Sequence, residues 1–378
     1  MRRSLLFALS LSLLTVSGCL VYAGEPEPPG WQPGVEVELS FFYDALSPYG
    51  DWLWVEPWGR VWTPWDVEPG WRPYTHGRWV YTHLGWTWIA EEVWGWAPYH
   101  YGRWTYDPFY GWIWIPDTVW APSWVAWRHG PGWIGWAPLP PRARWVVGVG
   151  LDLDGLDLDL VLEEHWGSFV PERDFLAPRV WHRLSPPPRN GFHLRETRDV
   201  TRYEERAHHV AVHGIDVDEL ERRIGRVERH VLEDLDRPPR RAEAVEREAV
   251  RVYRPEVREE PGGEARRTRP APPPDAGEPP SPAVERELRR RQEREDRDLA
   301  AWEEAQRRAL ERLQREERRK PPRETSEEAI RERQDEERRA LEREVKRQKD
   351  VLRNRREREE KEPPKTRRAV PRKPPPGR

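Results

Sequence analysis

The chain has 378 residues, room for two or more domains, and 35% of them are charged, yet its net charge is only -3. That near-neutral sum hides an asymmetry: from Pro261 onward there is an excess of about eight positive charges, which leaves the first part acidic. A single cysteine excludes an intramolecular disulfide. There is no Gly-x-Ser-x-Gly elbow, no phosphate-cradling glycine loop and no His-Glu-x-x-His, which argues against the common hydrolase, nucleotide-binding and zinc-protease chemistries.

The chain opens with Arg2 and Arg3, then an apolar run from Leu5 to Val16 that is short for a membrane span. Val16-Ser17-Gly18-Cys19 follows and resembles a bacterial lipobox, so residues 1–18 read as a signal peptide and Cys19 as the lipidated residue. Cleavage after Val21-Tyr22-Ala23 is the plain secretory alternative. Leu20 after the cysteine points to the outer membrane where a cell has two. Residues 19–40, rich in Pro and Glu, read as a tether.

Twenty of the 24 tryptophans fall between Trp31 and Trp136 in phrases that recur about every 25 residues. Gly77-Arg78-Trp79-Val80-Tyr81 returns as Gly102-Arg103-Trp104-Thr105-Tyr106. Gly85-Trp86-Thr87-Trp88-Ile89 returns as Gly111-Trp112-Ile113-Trp114-Ile115, and Trp71-Arg72-Pro73-Tyr74 as Trp96-Ala97-Pro98-Tyr99. Aromatic residues hold one parity of each run and mostly aliphatic ones the other, so each strand has an aromatic and an aliphatic face. The fold class that follows is mainly β, an antiparallel meander of Trp-rich hairpin repeats over residues 41–141, closed or stacked so that the aliphatic faces meet. Two uses compete for the rings. Core packing is the plainer one, since large open apolar patches are rare on monomers. The other is a platform for sugar rings or peptides, with Trp52, Trp54, Trp79, Trp86, Trp88, Trp104, Trp112 and Trp114 as the stacking residues. Arg72, Arg78, Arg103 and Arg128 stand beside tryptophans, where cation–π contacts are expected. Glu91, Glu92, Asp107 and Asp117 fall in turns between strands, a location where sites form but no more than that.

Phe41-Phe42-Tyr43-Asp44-Ala45-Leu46-Ser47-Pro48-Tyr49-Gly50-Asp51-Trp52, Tyr99-His100-Tyr101-Gly102-Arg103-Trp104 and Gly135-Trp136-Ala137-Pro138-Leu139 resemble a family of exported bacterial proteins. That family is filed as domain of unknown function 6600. The resemblance covers roughly Phe41 to Pro141, with a weaker echo to about Leu232, and it implies no catalytic residue.

Residues 142–235 read as an acidic hairpin followed by a small α+β add-on. Asp154-Gly155 is a type I′ turn pair that would set Leu153 opposite Leu156, Leu151 opposite Leu158, Val149 opposite Leu160 and Asp152 opposite Asp157. Asp152, Asp154, Asp157 and Asp159 lack a complete calcium-loop spacing and read as solvent-facing carboxylates; no metal or cofactor is expected. Val210-Ala211-Val212 reads as a strand, Asp216 with Glu219 as a capping box for a helix to Arg223, and Val227 to Leu232 as a second strand. His208, His209 and His213 make a poor ligand set and read as surface residues.

Residues 236–283 read as a Pro/Arg-rich linker. Residues 284–361 form charged helices broken at Pro321-Pro322, with a thin stripe at Leu299, Trp302, Leu310 and Leu313 and a 4-3-4 run at Leu341, Val345, Gln348 and Leu352. These are read as solvated single helices or a weak helical hairpin, with self-association the alternative. Residues 362–378 are a basic disordered end, and export argues against nucleic acid as its partner. Taken together, the residues suggest a non-enzymatic, lipid-anchored envelope protein with a structural or interaction role. Its partners would be the bacterial membrane and possible envelope polysaccharide or peptidoglycan, the latter on a Trp face.

Overall fold

The protein is described by a computed structural model over residues 36–158, 166–206, 209–242, 245–246, 249–259, 282–319 and 326–361. Cys19, the leader, most of the tether, Asp159, Leu160, Leu162, His208 and the basic end lie outside the described residues.

The Trp-rich phrases form four hairpins: β2 Gly50–Val55 with β3 Gly59–Pro64, β4 Gly77–Thr82 with β5 Gly85–Ala90, β6 Arg103–Asp107 with β7 Gly111–Ile115, and β8 Val125–Gly130 with β9 Trp133–Pro138. Their register puts like against like: Trp52 faces Trp62, Trp79 faces Trp88, Trp104 faces Trp114, and Trp127 faces Trp136. Every turn carries a glycine at positive φ (Gly59, Gly85, Gly111 and Gly132), a conformation open to residues without a Cβ. That requirement explains why Gly-Trp-x-Trp recurs as a phrase.

The hairpins do not run on as one meander. The first and third share a four-stranded sheet, β2-β3-β7-β6, joined at Trp62 and Trp114. The second lies at the middle of a seven-stranded sheet, and the fourth is the centre of another four-stranded one. Nor do the aliphatic faces meet. The aromatic faces do, because each indole buries roughly 150–250 Å², far more than a valine can. Trp79 of the second hairpin lies 4.5 Å from Trp127 of the fourth, and Trp62 of the first reaches Tyr99 through Trp94. Val55, Val61 and Ile113 form only a small separate cluster on the other side of the first sheet.

The segment after the hairpins is woven into the same sheets. β12 Ser168–Pro171 pairs with β9, and β13 Arg198–Asp199, just after helix α2 Asn190–Glu196, pairs with β8. β14 Tyr203–Arg206 and β15 His209–Val212 extend the seven-stranded sheet beyond β5, while β16 Arg229–Asp234 joins its other side beside β4. Helix α3 Val217–Ile224 connects them. Asp216 accepts from the backbone N–H of Glu219 at 2.8 Å, and Gly225 closes the helix, as the capping box predicts. The predicted add-on is therefore a clasp around the second hairpin rather than a separate module.

Two expectations change. The acidic hairpin is displaced: β10 Arg144–Val146 pairs with β11 Gly150–Asp152 around a turn at Val147-Gly148-Val149. Asp154 and Gly155 do take positive φ, but as a separate turn closed by Leu156 N–H to Leu153 C=O. The observed register places Arg144 opposite Asp152, an opposite-charge pair, where the predicted one set two aspartates face to face. Residues 236–259 are also not all linker. β17 Val245–Glu246, β18 Ala249–Val252 and β19 Glu256–Arg258 complete the sheets, and β19 runs parallel to β1 Glu36–Glu38, ahead of helix α1 Ser40–Leu46. Val250, Val252, Tyr253 and Val257 are buried there.

The tail forms two long helices, α4 Pro282–Arg319 and α5 Glu327–Lys361, of 38 and 35 residues. They make the whole chain mixed in class, with the β character confined to residues 36–259. The pair is an antiparallel hairpin: Arg291 meets Glu359, Asp296 meets Arg356 at 2.8 Å, Glu303 meets Lys349 at 3.2 Å, and Glu317 meets Arg333.

Candidate functional site

The eight candidate stacking residues fall into two groups. Trp79, Trp86, Trp88, Trp104, Trp112 and Trp114 are buried, so none of them presents a face to a ligand. Only Trp52 and Trp54, both on β2, are part-exposed. Their shared parity places both on the aromatic side of the strand, at the margin of the first sheet.

Main-chain carbonyls supply partners for six of the buried indole N–H groups, whereas the buried Nε1 atoms of Trp79, Trp88 and Trp127 have no hydrogen-bond partner among the described residues. Trp62 donates to Leu46 O, Trp86 to Ile215 O, Trp104 to Pro98 O, Trp114 to Tyr101 O, Trp124 to His100 O and Trp136 to Tyr74 O, all between 2.7 and 3.2 Å. Four of these rings fix a loop to a strand, Trp62 fixes the end of helix α1 to β3, and Trp124 joins two loop segments. Trp52 donates to Tyr43 O at 3.1 Å, whereas Trp54 bonds its near neighbour Glu56 at 2.8 Å. Around Trp52, the Tyr43 ring packs edge-on at 4.6 Å and the Arg60 guanidinium lies over Tyr43 at 3.9 Å. Among the eight candidates, that corner with Trp54 beside it is the part left open to a ligand.

Of the arginines beside tryptophans, Arg103 lies 3.7 Å over the Trp124 ring while its Nε donates to Ala143 O. Arg128 bonds Thr197 and Leu194 O, and Arg72 donates to Ser168 Oγ. Burial lowers the pKa of Arg72 and of Arg103, opposed by Glu344 in the first case and by Asp117 in the second.

The turn carboxylates have structural work. Glu91 pairs with Arg179 at 3.4 Å. Asp107 accepts from the N–H groups of Phe109 and Tyr110, and Asp117 from that of Thr118. Glu92 is half-buried beside the aromatic core and accepts from Trp71 Nε1 at 3.0 Å and Tyr99 Oη at 2.9 Å. Desolvation raises its pKa, against the opposing pull of His76 and these donors.

One nucleophile–base geometry does occur. Ser185 Oγ lies 2.7 Å from His193 Nε2, but both are buried and the imidazole is packed by Trp133 and Phe169. Burial, with Arg189 nearby, pushes the His193 pKa down to about 3, so the ring is neutral and a weak base. His193 and Ser185 both lie within the fold and are not presented to solvent. His213 pairs with Glu204, apart from any ligand set. Asp152 and Asp154 are paired with Arg144 and Arg142.

One open feature is on the tail. Its helical hairpin lies along the β domain: Trp302 rests on Gly70, Val351 beside Gly111, Arg358 over Tyr110, and Arg333 over Phe192. Arg189, at the end of a 3₁₀ turn, reaches Glu337 at 3.2 Å and Glu317 at 3.7 Å. Between them the two helices leave a groove of about 600 Å³ beside Leu310, Leu341 and Val345, which are themselves buried in the helix seam. Of the two forms expected for the tail, solvated single helices or a weak helical hairpin, the structure has the hairpin, and its docking on the domain is hidden from the sequence because the contacts are single residues spaced far apart.

Residues 43–143, which span the Trp-rich hairpins, match the model of a family of unknown function, DUF6600. No curated protein and no solved structure matches the chain.

Proposed function

We propose that this DUF6600-containing chain is a non-enzymatic lipoprotein of the bacterial cell envelope, most simply of the outer membrane, held through lipid on Cys19 and acting through protein contacts. One observation carries the non-enzymatic, structural half: most rings of the tryptophan repeats face inward, with the indole N–H groups of Trp86, Trp104 and Trp114 tied to loop carbonyls. A repeat used this way makes a rigid platform, and what it displays to solvent is the charged helical hairpin. The membrane half rests on Val16-Ser17-Gly18-Cys19 and the apolar run before it. Metabolic labelling with an alkyne fatty acid should mark the chain, and Cys19→Ser should abolish the label and release the protein from the membrane fraction. Unlabelled wild-type chain would sink the proposal.

A second reading, glycan or peptide binding, is favoured by the part-exposed pair Trp52 and Trp54 beside Arg60. Titrating peptidoglycan fragments against tryptophan fluorescence tests it. A response that Trp54→Ala removes supports this reading, and a flat titration refutes it.

A further inference from the structure

We propose that the free edge of β2 pairs with the β2 edge of a second copy of this chain, antiparallel and about a two-fold axis at Leu53. This rests on the reading of the chain as an interaction protein and names the partner.

Strand β2 is the outer strand of the β2-β3-β7-β6 sheet, so one side of its backbone has no strand beside it. The register says which groups lie on that side. Gly50 faces Pro64, which has no N–H, and the Trp65 N–H bonds Tyr49 O one step on. The ladder to β3 therefore runs through Asp51, Leu53 and Val55. The N–H and C=O groups of Trp52 and Trp54 point outward, and no hydrogen bond takes them up among the described residues. Residues 51–54 are all part-exposed. With no proline, no lysine and no bulge, β2 lacks the usual guards of a free edge, and its one charge, Asp51, lies toward one end. An open row of backbone donors and acceptors takes an extended strand.

Self-complementarity selects which strand. With Leu53 of the two copies opposite each other, Trp52 of each falls opposite Trp54 of the other, and every such pair exchanges two hydrogen bonds through the outward groups. Trp then faces Trp, as it does across all four hairpins. The adjacent registers keep one tryptophan pair instead of two. Asp51 falls opposite Val55, so no charge on β2 opposes its like. Leu53, part-exposed beside Val55, Val61 and Ile113, meets its own counterpart and joins the small aliphatic clusters of the two copies across the axis.

Disulfide trapping of the full chain in cell lysate tests this. Cys19→Ser leaves no other thiol, so Leu53→Cys then supplies a unique one. Across a non-hydrogen-bonded pair the two Cα atoms lie about 4.5 Å apart, within disulfide range. Residues 51 of the two copies would lie roughly 13 Å apart along the strands, beyond it. Under mild oxidation Leu53→Cys should give a species of twice the chain mass, and Asp51→Cys about tenfold less or worse. Trp54→Pro removes an outward N–H that the fold does not use, and it should lower the Leu53→Cys product about tenfold as well. Should that variant lose the native tryptophan fluorescence, an excess of a peptide of residues 50–55 competes for the edge and should lower the product likewise. No dimer, equal trapping at 51 and 53, or indifference to both proline and peptide would overturn the proposal. So would a trapped partner that is another protein. Cys19 is absent from these chains, so failure of the dimer and failure of the lipoprotein reading are told apart.

Discussion

Tyr74 donates its hydroxyl proton to the carbonyl of Tyr99 at 2.8 Å, and the two rings lie 4.8 Å apart. The two residues hold the same place in successive repeats, Trp71-Arg72-Pro73-Tyr74 and Trp96-Ala97-Pro98-Tyr99. The Tyr74 oxygen also accepts from the backbone N–H of Trp124 at 3.0 Å, so one phenol ties the second hairpin's approach, the third's and the fourth's. Tyr74 is fully buried.

Tyr74→Phe should therefore destabilise the β domain well beyond the loss of one exposed hydroxyl. It leaves a buried carbonyl and a buried N–H unpaired, at about 1–3 kcal/mol for each orphaned group. Chemical denaturation followed by tryptophan fluorescence measures it. A change under about 0.5 kcal/mol, typical of a surface site, would mean that water replaces the phenol.

What the sequence disclosed and what it concealed have a physical division. Trp52, Trp54, Trp86, Trp88, Trp112 and Trp114 alternate at period two, so the strands and the turns between them were legible, as was the Asp216–Glu219 cap. Periodicity sorts residues by face but does not say which face turns inward, and here burial of the large indoles decided against the aliphatic side. Strand order was hidden for a related reason. Trp62 pairs across to Trp114, skipping a whole repeat, and nothing local to either residue signals that partner. Val250, Val252 and Val257 were submerged in a charged, proline-rich composition, and the turn at Gly148 competed with the stronger signal of Asp154-Gly155. For the candidate site, part-exposed Trp54 and buried Trp114 have the same local pattern. Only tertiary packing separates them.

Stability should fall as the pH drops below the ordinary histidine range, with His193 a main cause. Its pKa is depressed to about 3 in the folded chain against 6.5 unfolded. Between those values the unfolded chain binds the extra proton, so folding loses up to about 1.4 kcal/mol per pH unit on descent and nothing above pH 6.5 changes. Glu92, raised by burial, works the other way: its folded form binds more protons above the unfolded carboxyl value, so its contribution falls as pH rises through that window. Comparing wild type with His193→Asn between pH 7 and pH 5 isolates the histidine. Parallel stability curves would refute the assignment.

Gly70→Ala should loosen the tail from the domain without unfolding either. Gly70 has φ +77°, and a Cβ there would lie 2.5 Å from Cε2 of Trp302. The alanine is both strained and in collision with the one large ring that α4 lays on the domain, a cost of about 1–3 kcal/mol. Hydrogen exchange should quicken across residues 282–319 and 327–361 while β4 and β5 stay protected. Unaltered exchange in the helices would show that Trp302 is not an anchor.

The other anchor is electrostatic. Arg189 reaches Glu317 and Glu337, and Glu337 is only 3% exposed. Burial raises the Glu337 pKa, while the Gln314 amide and the Arg189 charge hold it down. Removing one partner of such a buried pair strands the other, at about 3–5 kcal/mol, whereas removing both restores most of the loss. Arg189→Ala should accordingly be costly alone and cheaper in a Glu337→Gln background, giving a coupling of about 1 kcal/mol or more in a double-mutant cycle. The cycle separates this contact from the influence of Arg189 on His193, which is common to both backgrounds and cancels. Additive losses would mean that Arg189 holds the hairpin through Glu317 alone, and that Glu337 is kept in place by the Gln314 amide rather than by charge.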